Sequence, residues 1–151
     1  MLRLIRTVSE NPDFRVLVQL LDQDLAERDG ADSAFYAQYN KLDLIRHAVV
    51  ACAGDEPVGC GAFKEFEPGA VEIKRMYVRP AQRQQGVARA VLGELEAWAA
   101  ELGYATCVLE TGQRQPEAIA LYQRSGYART ANYGQYVGVE NSVCFRKPLK
   151  Q

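Results

Sequence analysis

The sequence has one histidine, one tryptophan, four cysteines with no CxxC pair among them, and almost no net charge, formally -1. Each shortage excludes a class of function. With His47 as the single histidine, neither a histidine metal cluster nor a Cys-His nucleophile can be read, so no metal is expected. Cys52, Cys60, Cys107 and Cys144 lie far apart in apolar, strand-like runs, where a reduced thiol behaves as a small hydrophobe. A near-neutral chain has little with which to neutralise a phosphate backbone, so nucleic acid is not the expected partner. No apolar run approaches the roughly 18 residues of a membrane span, and MLRLIRTVSENP lacks the apolar region and cleavage site of a secretory leader. A cytoplasmic location with no membrane partner is the resulting expectation. The common nucleotide loops GxxxxGK[ST] and GxGxxG are also missing.

The 151 residues are 48% apolar and 25% charged, the balance of an ordinary globular domain. With no linker, repeat or low-complexity tract, one mixed α/β domain over residues 1–151 is expected. LRLIRTV alternates like a half-buried strand. Asn11-Pro12 then starts a helix whose Phe14, Leu17, Leu20, Leu21 and Leu25 recur at helical spacing up to Gly30. ADSAFYAQYNKLD is a second, shorter helix or a loop. HAVVACA, VGCGAF and VEIKRMYV, separated by Gly54 to Pro57 and by Glu67-Pro68-Gly69, predict an antiparallel meander. In the third of these, alternation places Val71, Ile73, Arg75 and Tyr77 on one face and Glu72, Lys74, Met76 and Val78 on the other.

A helix follows with a Val87, Val91, Leu95, Trp98, Leu102 stripe and Gly103 as its stop. TCVLET is a short buried strand, QPEAIALYQRSG a further helix, and YART and NSVCFRKPL are closing strands.

The junction between VEIKRMYV and the Val87 helix reads RQQGVA. A helix start presents unpaired N–H groups and the positive end of the helix dipole, Gly86 permits a close approach to the backbone, and Ala88 keeps the first turn bare. Arg83 and Arg89 can flank an anion. The same glycine also suits a simple turn, so on these residues alone a phosphate site and a turn both remain open.

In their order, three segments make the chain resemble the GCN5-related N-acetyltransferase (GNAT) superfamily. VEIKRMYVRPAQRQQGVA is similar to that family's central motif, Arg or Gln, two residues, Gly, one residue, Gly or Ala. LETGQRQPEAIALYQRSGY is similar to its second motif, and the strand, helices and meander that precede them have the family's element order. The resemblance implies an α+β fold, with a mixed, mostly antiparallel sheet of about six or seven strands flanked by about four helices. It implies acetyl-CoA as cosubstrate, its pyrophosphate on the amides of Gln84, Gln85, Gly86, Val87 and Ala88 with Arg83 and Arg89 nearby, and its pantetheine arm along the backbone of Met76, Tyr77 and Val78. The Met76 or Tyr77 N–H would act as oxyanion donor.

Attack of an amine on a thioester needs a base for the amine and an acid for the leaving thiolate. Tyr122 shares a helix face with Gln115, Ala118 and Ile119, and the resemblance makes Tyr122 the general acid, with Gln115 and Ala118 beside the cofactor. Glu72 matches a position where family members carry a base; a solvated strand glutamate paired with Lys74 or Arg75 is the alternative. Gln115 departs from the asparagine usual there. The acceptor is expected to be a small-molecule or peptide amine framed by Phe35, Tyr36, Tyr39, Asn40, Tyr133, Tyr136, Glu140 and Asn141, with Arg75 available to pair a carboxylate. A homodimer through the closing strands is compatible with the resemblance.

Overall fold

The computed structural model describes residues 2–30 and 45–149. The expected second helix, with Phe35, Tyr36, Tyr39 and Asn40, lies outside them. Seven strands, β1 (Leu2–Thr7), β2 (His47–Ala53), β3 (Glu56–Glu67), β4 (Ala70–Val78), β5 (Thr106–Gly112), β6 (Ala128–Thr130) and β7 (Ser142–Pro148), form one sheet in the order β1-β2-β3-β4-β5-β7-β6. The described α-helices are α1 (Pro12–Asp29), α2 (Val87–Glu101) and α3 (Pro116–Arg124). Every strand pair is antiparallel except β4–β5, whose parallel ladder covers only Ala70↔Thr106 to Ile73↔Leu109.

Local chemistry accounts for the helix ends. Asn11 caps α1 by accepting from the backbone N–H groups of Asp13 and Phe14, and Gly30 closes it at φ 53°. Phe14, Leu17, Val18 and Leu21 of α1 are buried against Ala48, Val50, Cys60 and Ala62 on one face of the sheet. Each such side chain contributes roughly 1.5–3 kcal/mol when fully buried. On the opposite face, Val87, Val91, Leu92 and Leu95 of α2 pack with Val49, Val71, Ile73, Leu109 and Phe145. The α2 stripe ends sooner than its spacing predicts, because Leu102 is already the C-cap and is 50% exposed.

The simple alternation expected for β4 is broken by a bulge at Arg75, where φ is 62°. The register with β3 slips between Cys60 and Ala62. Val71 and Ile73 before the bulge pack with Met76 and Val78 after it on the α2 face, while Tyr77 joins the α1 face. One residue inserted into a period of two inverts every later side chain. Gly61, opposite the bulge, makes room for it: a Cβ there would collide with Met76 Sδ and come within 2.8 Å of Leu95 Cδ1. Holding a non-glycine residue in left-handed geometry costs about 1–2 kcal/mol. Arg75 is anchored at that cost by an ion pair, its Nη1 lying 3.0 Å from Asp22 Oδ1 on α1.

Candidate active site at the split in the sheet

Past Ile73 and Leu109, β4 and β5 have no paired residues. The split leaves backbone groups of β4 open toward β5 and connects the two faces of the sheet. Arg79 N–H donates to Val58 O at 2.8 Å in the β3 ladder. Because N–H groups alternate along a strand, those of Tyr77 and Arg79 both face β3, and those of Met76 and Val78 face the split. Of the two oxyanion donors expected from sequence, only Met76 therefore faces the gap.

A cleft of about 540 Å³ runs along this edge. Met76, Tyr77 and Val78 form one wall, Arg83, Gln84, Gly86, Val87 and Ala88 its head, and Gln115, Ala118 and Tyr122 the wall from α3. Twelve of the fourteen residues expected to bind acetyl-CoA or to move its protons border this cleft or the smaller one that adjoins it. Gln85 and Arg89 border neither. The Gln85 amide instead reaches Ala81 O at 3.5 Å, and Arg89 is exposed on α2.

At the head of the cleft, Gln84 and Gly86 are both left-handed, at φ 64° and 84°, and no side chain caps α2. The first amides of a 15-residue helix are thus free to meet an anion. An added Cβ at Gly86 would meet nothing within 4 Å, so the glycine is required by its backbone angle. Arg83 is already oriented: its Nε donates to Val78 O at 2.9 Å and its guanidinium lies 5.5 Å from the Tyr77 ring centroid. Asp24, Arg28, Glu117 and Arg124 also line the cleft, and Arg28 of α1 pairs with Glu117 of α3 across it. Nothing in the local sequence signals that pair, whose members lie 89 residues apart.

The second, smaller cavity of about 110 Å³ shares Leu21, Met76, Gln115, Ala118 and Tyr122 with the first and is lined on its far side by Glu72, Glu110 and Tyr136. Glu72 is only 5% exposed and accepts a hydrogen bond from the Tyr133 hydroxyl at 2.8 Å. The reading of Glu72 as a solvated strand residue is thereby overturned. Arg75, expected as a free partner for an acceptor carboxylate, is instead taken up by Asp22, with its side chain 2% exposed.

Tyr122 is buried between Tyr127 and Phe145, with ring centroids at 5.9 and 6.1 Å. Burial, and then the charge of Glu110, push its phenol above the usual tyrosine range. It stays protonated through neutral pH. Burial likewise pushes Cys60 and Cys107 each up to about 12 and Cys144 up to about 11, which leaves these thiols inert as nucleophiles. His47 stands apart from both cavities, stacked on Phe63 at 4.7 Å and edge-on to Trp98 at 4.8 Å. Glu140 and Asn141 line neither cavity. No described helix is long and apolar enough to cross a membrane.

Residues 14–127 match the acetyltransferase (GNAT) family. An IAA acetyltransferase of Azospirillum brasilense is 35% identical over 136 residues, 88% of each chain. A solved Klebsiella pneumoniae chain, described as an acyl-CoA N-acyltransferase, superposes with a TM-score of 0.83 at 31% identity, covering 99% of both chains. A GNAT acetyltransferase of Elizabethkingia anophelis, solved with acetyl-CoA bound, shares the fold at 19% identity, with a TM-score of 0.60 over 68% of this chain and 76% of that one. The bulged strand, the open split and the uncapped helix start thus belong to a chain of the GNAT acetyltransferase family, an acyltransferase with acetyl-CoA as its cosubstrate.

Proposed function

We propose that the chain transfers an acetyl group directly from acetyl-CoA to a primary amine, the two substrates being bound together at the split in the sheet. The observation that supports this most is the meeting of two cavities at Met76, Gln115, Ala118 and Tyr122. One has a backbone anion cradle at its head and the other is lined by carboxylates. Acetyl-CoA supplies the activated thioester carbonyl. The amides of residues 84–88 hold its pyrophosphate, and Arg83, braced on Val78 O and Tyr77, presents its remaining donors to the same anion.

Along β4, the Met76 and Val78 backbone accepts the extended pantetheine arm as an added strand would be accepted. Met76 N–H stabilises the developing oxyanion. Glu72 takes the proton of the acceptor amine, directly or through a water, and Tyr122 returns a proton to the leaving sulfur. Because the four cysteines are buried and none lines either cavity, no acyl-enzyme enters the scheme. The acceptor is a small-molecule or peptide amine, and the small second cavity favours one whose amine stands on a slender chain.

Thiol release from acetyl-CoA, followed against a panel of amino acids, polyamines, aminoglycosides and basic peptides, tests this reading. Wild type should release thiol with at least one amine, and Tyr122→Phe should lower kcat about 10²-fold with little change in the KM for acetyl-CoA. An unchanged kcat in Tyr122→Phe removes the acid role.

A further inference from the structure

Glu72 is tied to a part of the chain 61 residues away. Tyr133 lies in the segment between β6 and β7, and its hydroxyl donates to Glu72 Oε2 at 2.8 Å. Its ring is clamped edge-on between Phe66 at 4.8 Å and Tyr136 at 5.8 Å. The segment is itself braced, since Asn132 Nδ2 donates to both Tyr136 O and Val139 O at 3.1 Å. Tyr136 and Cys144 are buried in a small cluster against which the partly buried Tyr133 and Val139 pack. A hydroxyl donated to one carboxylate oxygen from a ring packed on two sides restrains the torsion of the carboxylate.

We propose that Tyr133 is a positioning residue for amine activation, holding Glu72 by Oε2 so that Oε1 is left to the acceptor. The inference rests on the reading of Glu72 as the base. It makes the segment between β6 and β7 part of the acceptor machinery: Tyr133 and Glu72 act as one unit, and Tyr136, which lines the same cavity, forms its floor. A long-range contact of this kind leaves no local motif.

The test is a double-mutant cycle with n-propylamine, a bare primary amine, as acceptor probe, comparing wild type, Tyr133→Phe, Glu72→Gln and the double variant. Losing a hydrogen bond to a charged group should lower kcat/KM for the amine about ten- to hundredfold in Tyr133→Phe. The KM for acetyl-CoA and the melting temperature should be little changed. Because Tyr133 acts through Glu72, the double variant should be no slower than Glu72→Gln alone.

An effect of Tyr133→Phe that multiplies with that of Glu72→Gln, or that raises the KM for acetyl-CoA, would make Tyr133 a structural residue and overturn the inference. A wild-type rate in Tyr133→Phe with a slow Glu72→Gln would also overturn it while leaving Glu72 as base. A wild-type rate in Glu72→Gln would remove the base and the positioning role together.

Discussion

The two sides of the split are made of different material. On the proposed donor side the lining comes from the main chain: the open edge of β4, two left-handed residues and the bare start of α2. On the proposed acceptor side it comes from side chains of β4, β5 and the segment after β6, with Glu72, Glu110 and Tyr136 lining the small cavity and Tyr133 bonded to Glu72. A backbone site demands few residue identities but strict angles. A side-chain site demands identities and tolerates a change of backbone, so one fold can keep its donor while its acceptor changes.

The largest effect should follow from breaking an angle on the donor side. Gly86 stands at φ 84°, where a β-branched residue is strained by more than the roughly 1–2 kcal/mol of a left-handed L-residue, although open space surrounds it. Gly86→Val should therefore raise the Kd for CoA by about two orders of magnitude, read by calorimetry, because the loop must leave its native angle and its amides scatter. Gly93 lies within α2, also has open space around it and has no positive φ, so Gly93→Ala is the matched control and should bind CoA as wild type does. Equal affinity in Gly86→Val and wild type would mean that the cradle does not hold the pyrophosphate.

This difference also governs what could be read from sequence. RQQGVA and PEAIALY are contiguous, and their geometry follows from local rules of helix starts and glycine angles, so the residues that line the larger cleft were legible almost residue by residue. The bulge at Arg75 was not, because the alternation of β4 breaks only at the adjacent polar pair Lys74-Arg75, which fixes no bulge by itself, and the residue that makes room for it, Gly61, lies on β3. Glu72 was legible as a candidate but not in its burial, since the partner that makes it a buried carboxylate is Tyr133, far along the chain. Arg75 was read as available because its partner Asp22 sits on α1, 53 residues away in the chain.

Where the two sides meet, Tyr122 offers a test of intermediate size. Its phenol is raised above the usual range by burial first and by the Glu110 carboxylate second. A raised acid keeps its proton to higher pH, so the acid function should survive the range in which an ordinary tyrosine, of pKa about 10, would lose it. The kcat profile should accordingly show no fall up to about pH 10. Glu110→Gln, by removing the second cause, should bring an alkaline fall to lower pH. An alkaline limb identical in wild type and Glu110→Gln would separate Tyr122 from the field of the acceptor-side carboxylates.

The smallest effect should come from the one described ion pair that bridges the donor cleft from helix to helix. Arg28, in the last turn of α1, reaches Glu117, in the first turn of α3, and is itself steadied by Asp24 at 3.2 Å. The Glu117 side chain is 55% exposed, so the pair is worth at most about 1 kcal/mol, which limits its effect on cofactor release to about fivefold. Arg28→Gln and Glu117→Gln should each speed CoA dissociation by about three- to fivefold in stopped-flow at low ionic strength. The double variant should be no faster than either, because both changes remove the same bridge. At about 1 M salt the variants and wild type should converge, since a Debye length of about 3 Å screens an exposed pair. Single variants that keep the wild-type rate at low salt would show that the donor side retains its cofactor through the backbone cradle alone.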